Sequence, residues 1–171
     1  QFDLKISQGT LCNFNREAFE KLEDFELNII QGLKDEEVLN ADETGIKIDA
    51  NLAWAHVLCT PRLTFIYPHE KRGKDAMVEM GIIPKYTGIL IHDHWKPYLG
   101  YDCKHGLCNA HHLRELQWVI DFKSQKWATS MKKFLNKLND EVDEYGGVLP
   151  VEIQKRRIKR YQEIIKLANP E

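Results

Sequence analysis

Residues 38 to 48 begin with the apolar pair Val38 and Leu39 and end with Ile46 and Ile48 alternating with polar neighbours, the two-residue period of a strand. Two further strand-like runs follow, "LAWAHVLC" from 52 and "LTFIYP" from 63. The connections Asp49-Ala50-Asn51 and Thr60-Pro61-Arg62 are short, so the three runs are expected to form antiparallel hairpins. Upstream, Phe14, Ala18, Leu22, Phe25, Ile29 and Leu33 recur in steps of three and four. This predicts an amphipathic helix over 13–34, capped by Asn13 or Asn15, with its acidic residues outermost. Lys74 to Met80 reads as a short helix stopped by Gly81. "GILIH", 88 to 92, is a continuous apolar run, the mark of a strand buried on both faces and usually parallel to its neighbour.

A short strand is expected near 104–108. From His111 the pattern turns helical, breaks near Ser124, and stops at Gly146, Gly147 and Pro150. A last helix is expected from Val151 to Ala168, with Ile158, Tyr161, Ile165 and Ala168 on one face. Three antiparallel strands, a helix and a parallel strand are the order of a ribonuclease-H-like sheet, whose fourth strand lies beside the first through a right-handed crossover. The expected fold is therefore α/β: a ribonuclease-H-like mixed sheet with flanking helices, followed by a helical hairpin. The divisions are a helical lead-in over 1–36, a partial catalytic core over 37–122, and a helical hairpin over 123–171.

Composition agrees with a globular chain: of 171 residues, 43% are hydrophobic and 29% charged. A net charge of −2 argues neither for nor against nucleic acid, although a chain that coats DNA by electrostatics is usually more basic. No apolar run reaches the length of a membrane span. Cys12, Cys59, Cys103 and Cys108 are scattered through a chain large enough to have a core, which favours a reducing cytoplasm over a disulfide framework. Gln1 is not an initiator, so the chain reads as a piece of a longer one.

Two carboxylates stand out. Asp42 interrupts the first strand, and Asp93 ends the apolar run. The proposed topology sets them on adjacent parallel strands, near the carboxyl ends where open sheets bind ligands. Two aspartates side by side repel unless a cation joins them, and Mg²⁺ takes such hard oxygen ligands. Phosphodiester chemistry suits a two-metal site of this kind, and a third acid usually completes it. Glu43 is expected on the opposite side of its strand, in a structural role.

The segments "ADETGIKIDANLAWAHVLCT", "RGKDAMVEMGIIPKYTGILIHDHWKPY" and "HGLCNAHHLREL" resemble the central region of bacterial DDE transposases of the insertion-sequence sixty-six family, across residues 5 to 135. In that family Asp-Glu-Thr opens the catalytic domain, His-Asp-x-Trp-x-x-Tyr carries the second acid, and Cys-x-Ala-His-x-x-Arg-Glu-Leu follows. The resemblance implies that Asp42 and Asp93 are the first two acids, holding Mg²⁺ or its substitute Mn²⁺. It implies DNA as partner, both element ends and target, with self-association in the active complex and a bacterial cytoplasmic location. The family's third acid lies downstream in Asn-Asn-x-x-Glu-Arg, which does not occur here; the chain closes at Asn169-Pro170-Glu171. By this resemblance the piece is expected to be inactive alone. Glu115, in "HHLREL", is the alternative third acid.

Other residues carry weaker signals. Cys108 and His111 form Cys-x-x-His, near Cys103 and His112; they support the site or, with two more ligands, bind zinc. His92 and His94 flank Asp93 and within a strand face away from it, though His94, at the strand's end, could swing toward a metal or phosphate. Trp95 and Tyr98 are expected to pack in the core, with buttressing of the following turn as the alternative. Lys71, Arg72 and Lys74 at a helix start, and Lys155, Arg156 and Arg157 in "KRRIKR", are candidate DNA contacts, with Ile158 turned inward. Two other readings share these residues: a non-catalytic nucleic-acid-binding or assembly module, and a ribonuclease-H-like nuclease.

Overall fold

The structure, a computed structural model, describes residues 5–168. The expectation attached to Asn169-Pro170-Glu171 lies outside the described residues. The chain divides into two compact units, Gln1–Gly106 and Leu107–Glu171.

The first unit is built on a five-stranded sheet. Its strands are β1 (Val38–Ile48), β2 (Asn51–Cys59), β3 (Thr64–His69), β4 (Ile89–His92) and β5 (Lys104–Leu107), in the order β3-β2-β1-β4-β5. β1 pairs antiparallel with β2 and β2 with β3, while β4 runs parallel to β1. This is the ribonuclease-H-like order. The hairpin between β1 and β2 turns on two residues, Asp49 and Ala50, both at positive φ (49° and 65°). Those angles give the turn the twist that matches its flanking strands. β3 is an edge strand and carries Pro68.

Alternation along the strands fixes two faces. Leu39, Ala41, Leu58, Phe65 and Leu90 point into the main core. They meet Leu33 of α2 (Glu23–Asp35), Met77 and Met80 of α3 (Lys74–Met80), and Ile82, Ile83, Tyr86 and Tyr98. Each fully buried aliphatic side chain there contributes about 1.5–3 kcal/mol. The other face is open in places: Val38 and Ile66 are exposed. Tyr86 lies against the starts of both central strands, its hydroxyl 3.0 Å from the Glu37 carbonyl and 3.3 Å from that of Ile89. Gly88 is required beneath it, because a Cβ there would meet the Tyr86 hydroxyl at 2.4 Å and the Glu37 carbonyl at 2.6 Å.

The helical lead-in differs from expectation. It is two helices, α1 (Gln8–Lys21) and α2, broken at Leu22. The cap is Ser7, whose hydroxyl accepts the Thr10 N–H at 3.1 Å, and neither Asn13 nor Asn15 caps it. Only the last part of the apolar stripe is covered: Leu33 is buried, whereas Phe14, Leu22 and Phe25 are exposed. The stripe outruns the sheet it packs on.

The second unit holds α4 (Asn109–Lys123), α5 (Lys126–Glu144) and α6 (Val151–Ala168). Ser124 closes α4 at positive φ (49°), and Gly146 and Gly147 (71° and 102°) end the connection after α5. Leu116, Ala128, Met131 and Ile164 form its core. The inward residue of α6 is Ile164, while Ile158, Tyr161 and Ile165 are exposed, Ile158 at 56%. The expected inward turn of Ile158 is thus corrected: the buried residue is Ile164, six residues further along. Arg157 forks onto Glu141 of α5 (Nε–Oε2 2.7 Å). No helix among the described residues is long and apolar enough to cross a membrane.

Candidate active site

Asn40 of β1 lies level with Ile91 of β4. Asp42 lies two residues beyond Asn40 on β1, on the face opposite Leu39 and Ala41, and Asp93 two residues beyond Ile91, immediately after β4 ends at His92. Asp42 is exposed and Asp93 half-buried. Each carboxylate is held by one main-chain bond: Glu43 N–H donates to Asp42 Oδ1 at 2.9 Å, and Trp95 N–H to Asp93 Oδ1 at 2.8 Å. The second is the Asx turn that ends β4. Among the described residues no Lys, Arg or His forms a salt bridge with either aspartate. Two carboxylates with hard oxygens at these positions are of the kind that fit a divalent cation such as Mg²⁺.

Glu43, on the core face, has a side chain only 1% exposed. Its Oε1 accepts Arg72 Nε at 2.8 Å and Nη2 at 2.6 Å, and its Oε2 accepts the Tyr98 hydroxyl at 2.5 Å. The Arg72 guanidinium lies between two indoles, 5.0 Å from Trp54 and 4.1 Å from Trp95. Such stacking offsets part of the cost of drying the cation. Burial first, then the bond to Glu43 and the nearby charges of Glu43, Asp93 and Asp42, hold the Tyr98 phenol far above its ordinary pKa. The sequence reading placed Glu43 on the correct side of the strand but missed its partners. The legible signal was a glutamate at a core-facing position, which has to be satisfied.

His92 is fully buried and, as expected, turned away from the aspartates. Its ring stacks on Tyr98 at 4.8 Å, and Nε2 lies 3.0 Å from His105 Nδ1. Burial pulls its pKa below the ordinary histidine value. Tyr98 belongs to the main core and Trp95 packs against it, their rings 5.9 Å apart, which is the expected core packing. Cys103 Sγ lies 3.8 Å from His105 Nε2, a partner the sequence did not suggest.

In the second unit, Cys108 precedes α4 and its carbonyl accepts the His111 N–H at 3.1 Å. His111 Nδ1 is buried without a hydrogen-bond partner. Glu115 is exposed on α4, with Oε2 at 3.9 Å from His112 Nδ1. The basic candidates divide. Arg72 is engaged by Glu43 and Arg157 by Glu141. Lys71 pairs with Asp75 at 3.0 Å and Lys155 with Glu152 at 2.9 Å, both in exposed positions. Arg156 and Lys74 are exposed.

The strand order, with three antiparallel strands and a parallel fourth beside the first, defines a ribonuclease-H-like fold. More particularly, the model of the Transposase IS66 family matches residues 1–169, and the chain belongs to that family. Similar solved structures include the HTLV-2 integrase catalytic core domain in complex with magnesium. Its dimeric form has TM-score 0.34 and 14% identity, over 57% of this chain and 81% of that one. Its trimeric form has TM-score 0.35 and 14% identity, over 51% and 74%. A simian T-cell lymphotropic virus intasome in complex with PP2A regulatory subunit B56 gamma has TM-score 0.35 and 12% identity, over 54% and 44%. No curated protein matches the chain.

Proposed function

We propose that this chain carries the metal-holding part of a DDE transposase catalytic domain, with Asp42 and Asp93 as two of its three acids. The observation that supports this reading is the register of β1 on β4, Asn40 opposite Ile91, from which Asp42 and Asp93 each follow two residues on, in a chain of a transposase family. Bound Mg²⁺, or Mn²⁺ in its place, would lower the pKa of an attacking water and neutralise charge on the phosphodiester. The chain's own part is to present the oxygens: the Glu43 and Trp95 amides each fix one oxygen of an aspartate and leave the other for the ion. In the intact enzyme the partner is DNA. Hydrolysis at the element's ends frees 3′-hydroxyls that attack the target, and copies of the protein assemble for this in the bacterial cytoplasm. Lys71, Lys74, Lys155 and Arg156 are the basic side chains proposed to meet phosphates. The Asn-Asn-x-x-Glu-Arg motif that carries the third acid in this family does not occur in these 171 residues, and Glu115 is the alternative.

The test is a Mn²⁺ titration of this chain followed by NMR line broadening. Broadening is expected around Asp42 and Asp93, with affinity near millimolar because two acids stand where three belong, and Asp42→Asn is expected to abolish it. Absence of any localised broadening would overturn the reading. Metal-dependent nicking by this chain alone, lost in Asp93→Asn, would promote Glu115 to the third acid.

A further inference from the structure

Glu43 sits where a carboxylate is costly, and both of its oxygens accept hydrogen bonds. Its partners come from segments far apart in sequence, Arg72 before α3 and Tyr98 in the turn after β4. The same residue's main-chain N–H holds the Asp42 carboxylate. From Glu43 two routes lead to Asp93. One passes through Arg72 to the Trp95 indole, and Trp95 donates its N–H to Asp93. The other passes through the Tyr98 hydroxyl to the ring that stacks on His92, the residue before Asp93. Tyr86 grips the opposite end of the same two strands by its own hydroxyl, but touches neither aspartate's amide.

We propose that Glu43, with Tyr98 and Arg72, forms a positioning bridge beneath the sheet that sets the two aspartates relative to each other. The proposal rests on the reading of Asp42 and Asp93 as the metal-holding pair. Groups that hydrogen-bond or brace metal-holding side chains commonly set affinity as strongly as the ligands' own placement does. A node that served only stability would affect unfolding and leave the aspartates as they are.

Three variants separate these cases: Tyr98→Phe, which removes one hydroxyl and no charge; Arg72→Lys, which keeps the charge but not the planar fork; and Tyr86→Phe, which removes a buried hydroxyl at the far end of the strands. The readouts are amide hydrogen exchange at Trp95, which needs no metal, and the Mn²⁺ affinity from line broadening. Tyr98→Phe and Arg72→Lys are expected to speed exchange at Trp95 about tenfold and to weaken Mn²⁺ about tenfold. Tyr86→Phe is expected to lower the melting temperature while leaving both readouts at wild-type values. If Trp95 exchange is unchanged in Tyr98→Phe and Arg72→Lys, or moves equally in Tyr86→Phe, the bridge is structural only and the proposal is overturned. If exchange responds as expected but the wild-type chain localises no Mn²⁺, the bridge stands and the metal reading fails.

Discussion

Asp42 and Glu43 are neighbours in sequence and stand on opposite faces of β1, the first exposed and the second with its side chain 1% exposed and tied to Arg72 and Tyr98. The strand's two-residue period thus separates two acids into different tasks. Their substitutions should separate in the same way. Asp42→Asn is expected to change unfolding free energy by less than about 0.5 kcal/mol, as exposed substitutions do. Glu43→Ala is expected to cost about 2–4 kcal/mol, since it leaves a part-buried guanidinium and a buried phenol unpartnered. Urea denaturation of the two variants measures both.

Stability should depend on pH at both ends, for named reasons. Burial raises the pKa of Tyr98, and likewise of Tyr86 and Tyr101, above the ordinary value near 10. The unfolded chain then loses these protons first, so stability is full below about pH 10 and falls as pH rises further. His92 is lowered by burial. Its contribution is present above about pH 6.5 and is lost as pH falls, when the unfolded chain binds the proton more readily. A melting-temperature profile should therefore show a plateau between those limits, and His92→Phe should flatten its acid side.

The β1–β2 turn is built from Asp49 and Ala50, and Ala50 has φ of 65°. An alanine strains there and a glycine does not. Ala50→Gly is expected to stabilise the chain by about 0.5–1 kcal/mol despite the greater freedom of glycine when unfolded. Thermal melting of the single variant decides it.

Gly88→Ala should act in the opposite direction. The added methyl has nowhere to go between the Tyr86 hydroxyl and the Glu37 carbonyl. The backbone of β4 must shift from β1, at a cost of about 1–3 kcal/mol. Because the shift loosens the parallel pair, exchange of the Ile89 amide, bonded to Glu37 at 2.8 Å, should accelerate as well.

In α6 the measurable contrast is between two isoleucines. Ile164 is 1% exposed and Ile158 is 56% exposed. Ile164→Ala is expected to cost about 2–4 kcal/mol, and Ile158→Ala under about 1 kcal/mol, by denaturant unfolding of the chain.

Strands and their order were legible because alternation, short polar connections and one continuous apolar run are local signals that the sheet did not override. Asp42 and Asp93 were legible as polar interruptions at strand positions. Glu43's bridge was not, since Arg72 and Tyr98 lie 29 and 55 residues away and only the folded crossover brings them to it. The start of α1 lies further upstream than the stripe counted from Phe14, since Leu11 extends that stripe by one turn toward the Ser7 cap. The covered face of α6 was misjudged for a related reason. Periodicity marks several rows of apolar residues on that helix, and the choice of Ile164 belongs to α4 and α5, whose Leu116, Ala128 and Met131 it meets.

Pro68 in β3 bears on how copies of this chain can meet. A sheet edge normally offers unpaired N–H groups that another molecule's strand can join, which is the route to open-ended growth. Proline has no N–H to lend, and it sits in the strand that closes this side of the sheet. At that edge, then, two copies gain little by extending one sheet across both. Pro68 thus removes one main-chain donor from the edge that another strand would need.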